Sequence, residues 1–242
     1  MRALLLLPLL FAAVARAEPA APEALTAAFE LAGIRLLCEQ SAPLLQRGLP
    51  AEQQARLSRA FAADALCLDL AKRVAPELDA AQLQRVEALL DSPLARRFTA
   101  AERAVGASDG LASYRAQLAE RPPRAERLAL VRRLDRAAHT TALSALLRYE
   151  VGKTQALLAL RARGATLDEQ ALSRQTAAQA EALRLSSAQA VESFMLYAYR
   201  QLPSEQLAEY AALYEQAPVS TLLEASVQAL PQVFAARRAA LK

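Results

Sequence analysis

The sequence predicts an all-α fold, a multi-helix bundle, and three observations carry that expectation. Its background of Ala, Leu, Glu, Arg and Gln is made of good helix formers, and runs of Val, Ile and Thr that would favour strands are missing. Apolar residues recur three, four and seven positions apart, the spacing that keeps them on one helix face. Proline and glycine fall between such stretches, where helices start and stop. With 54% hydrophobic residues and 6 Gly among 242 positions, the chain has material for one large core or two small ones.

The first residues read MRALLLLPLLFAAVARAEPA. Arg2 supplies a positive start, Ala3 to Ala15 an apolar stretch and Ala15-Arg16-Ala17 a small-residue cleavage motif, so residues 1–17 read as a secretory signal peptide cut between Ala17 and Glu18. The stretch is broken by Pro8 and falls short of the roughly 18 apolar residues that a membrane-spanning helix needs. No later segment qualifies. A soluble protein of the periplasm or the medium is expected. Taking Arg2 and Arg16 from the 29 Lys and Arg leaves 27 against 25 Asp and Glu, a balance of +2 where the full chain has +4. That is too near neutral to indicate nucleic acid as a partner.

The elements follow in order. From Pro22 an amphipathic helix reaches about Gln46 and ends at Gly48, with a bend at Pro43. Pro50 stands where a first helical residue belongs, and the next helix runs to about Val74. Asp79 and Gln82 form a capping box that opens a helix to Leu90. Pro93 opens another, which stops at Gly106. The loop GASDG and a short helix lead to RPPR at 121–124, the boundary between a first unit, 18–121, and a second, 122–242, unless the two make one continuous bundle. Two long helices, about 124–163 and 167–200, flank RGAT, where Thr166 and Glu169 again have capping-box spacing. Pro203 starts a short helix to about Glu215, and Pro218 starts the last.

The two units carry one phrase twice. ELDAAQLQRVEALL at 77–90 lies over QLPSEQLAEYAALY at 201–214, pairing Leu78 with Leu202, Leu83 with Leu207 and Leu89 with Leu213. Both place apolar residues at i, i+3 and i+7: Leu83, Val86 and Leu90, then Leu207, Tyr210 and Tyr214. Two such stripes need mutual burial, the usual reason for a repeated helical-hairpin unit.

The apolar pair, the Ser92-Pro93 break and the basic helix that begins LARR resemble a bacterial periplasmic family, domain of unknown function 2059. The pair is Leu89-Leu90 in the first copy and Leu213-Tyr214 in the second. The family's glycine position holds Ala95 and Ser220, and Ala217 replaces the serine before Pro218. The resemblance implies an exported, mostly helical protein and carries over no catalytic residue.

Cys38 and Cys67 are the only cysteines, and two thiols in an exported domain are expected to form a disulfide. Counted from Gly48 they lie 10 and 19 residues along their arms, a mismatch of roughly 13 Å. A bend at Pro43 or a steep helix crossing would reconcile them; buried free thiols are the alternative. His139 is the only histidine, and Asp135 stands four residues before it on the same predicted helix face. An acid–base pair is one reading, and a half-exposed His in a salt link is the other. Neither a second histidine nor CxxC accompanies it, so no zinc site is expected. EVGKTQ at 150–155 contains the tail of a phosphate-binding loop, but Leu147 stands where its first glycine belongs. Asp168 and Glu169 read as helix-start acids that complement the dipole.

Arginines at 121, 124, 127, 132, 133 and 136 meet envelope polyanions on one reading and form a solvated mixed-charge face on the other. The last helix, with Leu222, Leu223, Val227, Leu230, Val233 and Phe234 before Arg237 and Arg238, either docks on the core or lies on a membrane. Phe194, Tyr197, Tyr199, Tyr210 and Tyr214 gather near one another in sequence, to line a groove or to wedge a helix junction. The function expected is a non-enzymatic periplasmic binding or protein-interaction module, with a periplasmic protein or envelope component as partner and no cofactor. Membrane-surface binding through the last helix and an enzyme using His139 with Asp135 are the alternatives.

Overall fold

A computed structural model of the chain describes residues 18–106, 110–118, 120–165 and 168–241. Every regular element among them is helical, and the sole bridge of β type joins Pro19 to Asp79. The predicted signal peptide, the centre of the GASDG loop and Thr166 lie outside the described residues.

A short 3-10 turn at Pro22–Ala24 leads into α1 (Leu25–Leu31), α2 (Ile34–Gln46), α3 (Ala51–Ala60) and α4 (Ala63–Val74). The single helix expected up to Gln46 is broken between α1 and α2 at Gly33, whose φ of 73° is a left-handed conformation that glycine adopts without a Cβ clash. Pro43 lies inside α2 and is not the break. The helix expected from 50 to 74 is broken as well, at Phe61 and Ala62. The cause is tertiary. Phe61 is fully buried and its ring sits 5.3 Å from that of Phe234, so packing outweighs helix propensity there. This break starts α4 afresh and removes the arm-length mismatch: Cys67 faces Cys38 with Cα atoms 5.8 Å apart, and the two form a disulfide.

Asp79 then caps α5 (Ala80–Leu90) through the predicted box, its carboxylate accepting from the Gln82 N–H while the Gln82 side chain accepts from the Asp79 N–H. Next come α6 (Pro93–Gly106) and α7 (Gly110–Leu118). After Arg121–Arg124 the second half runs as α8 (Ala125–Ala138), α9 (Thr140–Ala162), α10 (Glu169–Thr176), α11 (Gln179–Ala198), α12 (Ser204–Tyr214) and α13 (Ala217–Ala240). The two long helices expected here are both interrupted. His139, at φ 51°, separates α8 from α9, and a turn at Ala177 and Ala178 separates α10 from α11. The N-cap of α10 is Asp168, whose carboxylate accepts from the Ala171 N–H at 2.6 Å.

The halves follow one order of contacts. In the first, α1 packs on α5, and α2 on α3 and α4; in the second, α8 packs on α12, and α9 on α10 and α11. Contacts between halves are reciprocal: α13 lies on α4, while α6 and α7 lie on α11, and α2 meets α9. The matched stripes are buried at the same steps, Leu83, Val86 and Leu90 in α5 and Leu207, Tyr210 and Tyr214 in α12. Because the final helices cross over, one hydrophobic core draws on both halves, and Arg121–Arg124 is a link within it.

Candidate functional site

The densest burial of charge lies where α9, α10 and α13 converge. On α9, Glu150, Lys153 and Thr154 stand at i, i+3 and i+4, which puts them on one face with Leu157. All four are buried. The last turns of α13 bring Arg238 against this face, and the start of α10 brings Glu169.

Arg238 is 1% exposed and makes four kinds of contact. Its Nη2 is 2.6 Å from Glu150 Oε2, and its Nε and Nη2 donate to the two oxygens of Glu169 at 3.0 and 2.7 Å. Nη1 donates to the Glu150 carbonyl at 3.3 Å and to Thr154 Oγ1 at 3.2 Å. Lys153 completes the group with its Nζ 2.5 Å from Glu169 Oε1. The quartet is formally neutral. Burial pushes the Glu150 carboxyl above its usual range, against the pull of Arg238. For Glu169 burial acts in the same upward direction, but bonds from Arg238 and Lys153 hold it below the usual range. Three of these charges, Glu150, Lys153 and Arg238, are taken out of water at a cost of several kcal/mol each before pairing, whereas Glu169 keeps part of its hydration.

One cavity borders it, and a second shares Arg161 with the first. The first, about 170 Å³, is lined by Leu157, Arg161, Asp168, Glu169, Leu172 and Arg238. The other, about 240 Å³, is walled by Leu57, Leu158, Ala162 and Leu241 with Gln53, Arg56 and Arg161 at its edge. Arg161 borders both and donates to the Leu241 carbonyl. The larger cavity is mainly apolar, and the smaller carries the charged side chains.

The residues singled out from sequence are distributed differently. Asp135 does not orient His139: its two oxygens accept from the Thr141 N–H and hydroxyl, both at 2.8 Å, because the left-handed turn at His139 brings the start of α9 back over the end of α8. His139 is half-buried at that junction. Of the aromatics, Tyr210 and Tyr214 are brought together, with a hydroxyl pair at 3.1 Å, in a buried cluster with Tyr199 and Phe98 of α6. Tyr199 donates to Glu102 at 2.5 Å. Burial raises the Glu102 carboxyl, and burial likewise lifts all three phenols in the cluster. Tyr197 packs elsewhere, against Tyr114 of α7, and its hydroxyl fills the space that a Cβ on Gly110 would need. Phe194 is half-buried on the same helix.

The arginine stretch on α8 faces α11 and α12. Arg133 grips Glu215 with two bonds of 2.7 and 2.6 Å, Arg132 meets Glu192, and Arg127 donates to the Tyr199 carbonyl and Ser204. The apolar side of α13 lies in the core, and its last cations serve packing: Arg237 joins Asp69 and the Ala60 carbonyl, and Arg238 enters the quartet. No helix among the described residues is long and apolar enough to cross a membrane, and none of their acidic, His or Cys groups cluster as a metal site.

Sequence reasoning missed Glu150, Lys153, Thr154 and Arg238. The first three carry a signal, polar residues at i, i+3 and i+4 inside a long helix, whereas Arg238, on α13, carries none. The disulfide, by contrast, lies where the cysteine count put it. No known family model matches the sequence, and neither a curated protein nor a solved structure shows significant similarity to it.

Proposed function

We propose that the protein is an exported binding module built from two related helical units, and that its binding surface is the cleft where α9, α10 and α13 meet. The observation that carries the reading is the cavity that borders the charged quartet, where the partly exposed Glu169 meets both Arg238 and Lys153. Other charge-bearing side chains, such as those on α8 and Asp135, are used to join helices. Export accords with the opening sequence, with the disulfide and with the resemblance to the periplasmic family. Descent of both halves from one unit accords with their shared order of contacts and with the matched stripes of α5 and α12.

Two measurements test it. N-terminal sequencing of protein recovered from periplasm is expected to begin at Glu18; a mature chain that keeps Met1 removes export. A photoreactive residue at Leu158, on the cleft wall, is expected to crosslink one dominant species in intact cells, while the same group at the exposed Leu36 or Leu185 does not. Equal labelling at all three positions would defeat the cleft as the binding surface.

A further inference from the structure

We propose that Arg238 and Lys153 form a carboxylate-binding site that the chain's own Glu169 occupies, and that the ligand replacing Glu169 is an aliphatic monocarboxylate whose tail lies in the apolar cleft. The inference rests on reading that cleft as the binding surface, and it names the ligand class and the means of entry.

The two carboxylates of the quartet are not alike. Glu150 is 2% exposed and sits on the same rigid helix as Lys153, so it cannot leave without unmaking α9. Glu169 is 41% exposed and stands at the first position of an eight-residue helix that fully buries only Leu172 and Thr176. A small movement of α10 removes Glu169 and leaves Glu150 in place. The group then carries one surplus positive charge beside the 170 Å³ cavity. An uncompensated buried cation is costly, so an anion is drawn in.

The donor geometry selects the anion. Glu169 is held by adjacent Nε and Nη2 donors of one guanidinium, the planar fork that matches a carboxylate, with a lysine on one of the same oxygens. Asp168, the remaining acid on the cavity wall, has an oxygen committed to the Ala171 N–H. From this position apolar surface is offered by Leu157, Leu172 and Ala235 of the same cavity, and Arg161 also borders the neighbouring one of Leu57, Leu158, Ala162 and Leu241. A carboxylate head with a short hydrocarbon tail fits both parts.

Sodium octanoate is the probe, titrated calorimetrically into the mature protein, with 1-octanol and octyltrimethylammonium as controls. Octanoate is expected to bind at one saturable site, and the controls are not. Glu169→Gln removes the internal competitor, so its affinity is expected to rise by about tenfold or more, where a purely structural ion pair would give no gain. Leu158→Trp, which fills the cleft, is expected to abolish binding with an unchanged melting curve. Octanoate binding that is absent from both the wild type and E169Q, or no tighter in E169Q, overturns the proposal. Should E169Q fail to fold, Arg161→Gln decides: weaker octanoate binding supports the assignment and unchanged binding overturns it. If octanoate fails while crosslinking at position 158 still succeeds, the ligand class falls and the binding surface stands. If both fail, both readings fall.

Discussion

The two halves start alike and end differently. Each opens with a helix, α1 of 7 residues or α8 of 14, turns through a left-handed residue, Gly33 or His139, and then begins α2 or α9. From matched beginnings α2 stops after 13 residues and α9 continues for 23. The additional turns of α9 hold Lys153, Thr154, Leu157, Leu158 and Arg161, so both cavities depend on a length that α2 lacks. The first half instead closes its α2–α4 contact with a disulfide. The final helices diverge as well: α13 runs unbroken through Pro231, while α6 ends at Gly106 and α7 takes up the contact with α11. Both cavities thus lie at the longer, C-terminal end of α9.

Removing one side of this comparison at a time measures what each half contributes. Arg238→Ala leaves Glu150 buried with its principal cation gone and is expected to cost about 3–5 kcal/mol in denaturant unfolding. A loss under about 1 kcal/mol would mean that water replaces the guanidinium. In the first half, replacing Cys38 and Cys67 by Ala opens a loop with a sequence separation of 29 and is expected to cost about 3–4 kcal/mol. If the two variants lose similar amounts, the covalent tie between α2 and α4 and the ionic tie of α13 to α9 and α10 are supports of equal weight.

The Glu102 cluster, where α6 of the first half meets α11 and α12 of the second, predicts a smaller, pH-dependent effect. The folded-state pKa of Glu102 is raised, so its contribution is fully present below the unfolded carboxyl value and is lost as pH climbs through the folded one. Glu102→Gln keeps an acceptor for Tyr199 without the charge. It is expected to match the wild type near pH 4 and to melt higher at pH 8; a variant that melts lower at both would show the carboxylate to be welcome there. The smallest effect is expected for Arg133→Gln. Its bidentate pair with Glu215 is more than a third exposed on both sides, so a loss of under about 1 kcal/mol, shrinking in high salt, is predicted.

How far the sequence disclosed this structure follows from the range of the forces involved. The stripes of α5 and α12, the Asp79 cap and the helix starts near Pro93 and Pro218 are set by residues within one or two turns, and they were readable. The breaks at Phe61 and His139 were not. Phe61 leaves helix to reach Phe234, and His139 takes a conformation in which nothing local marks it. The charged quartet was hidden for the same reason: Arg238 finds its partners 69 to 88 positions away, on two other helices. The cysteines were readable as a pair because only two exist, though the geometry that joins them, a fresh start at Ala63, was not.

The crossing of α13 onto α4 sets a timetable for synthesis. The oily side of α4 is made within the first third of the chain, and its cover, Ala217–Ala240, is made last. Until α13 is made the early helices lack that cover, so a nascent chain stays vulnerable to chaperone capture and proteolysis through most of its elongation. Truncations that remove only the final two dozen residues should therefore behave as badly as far larger ones.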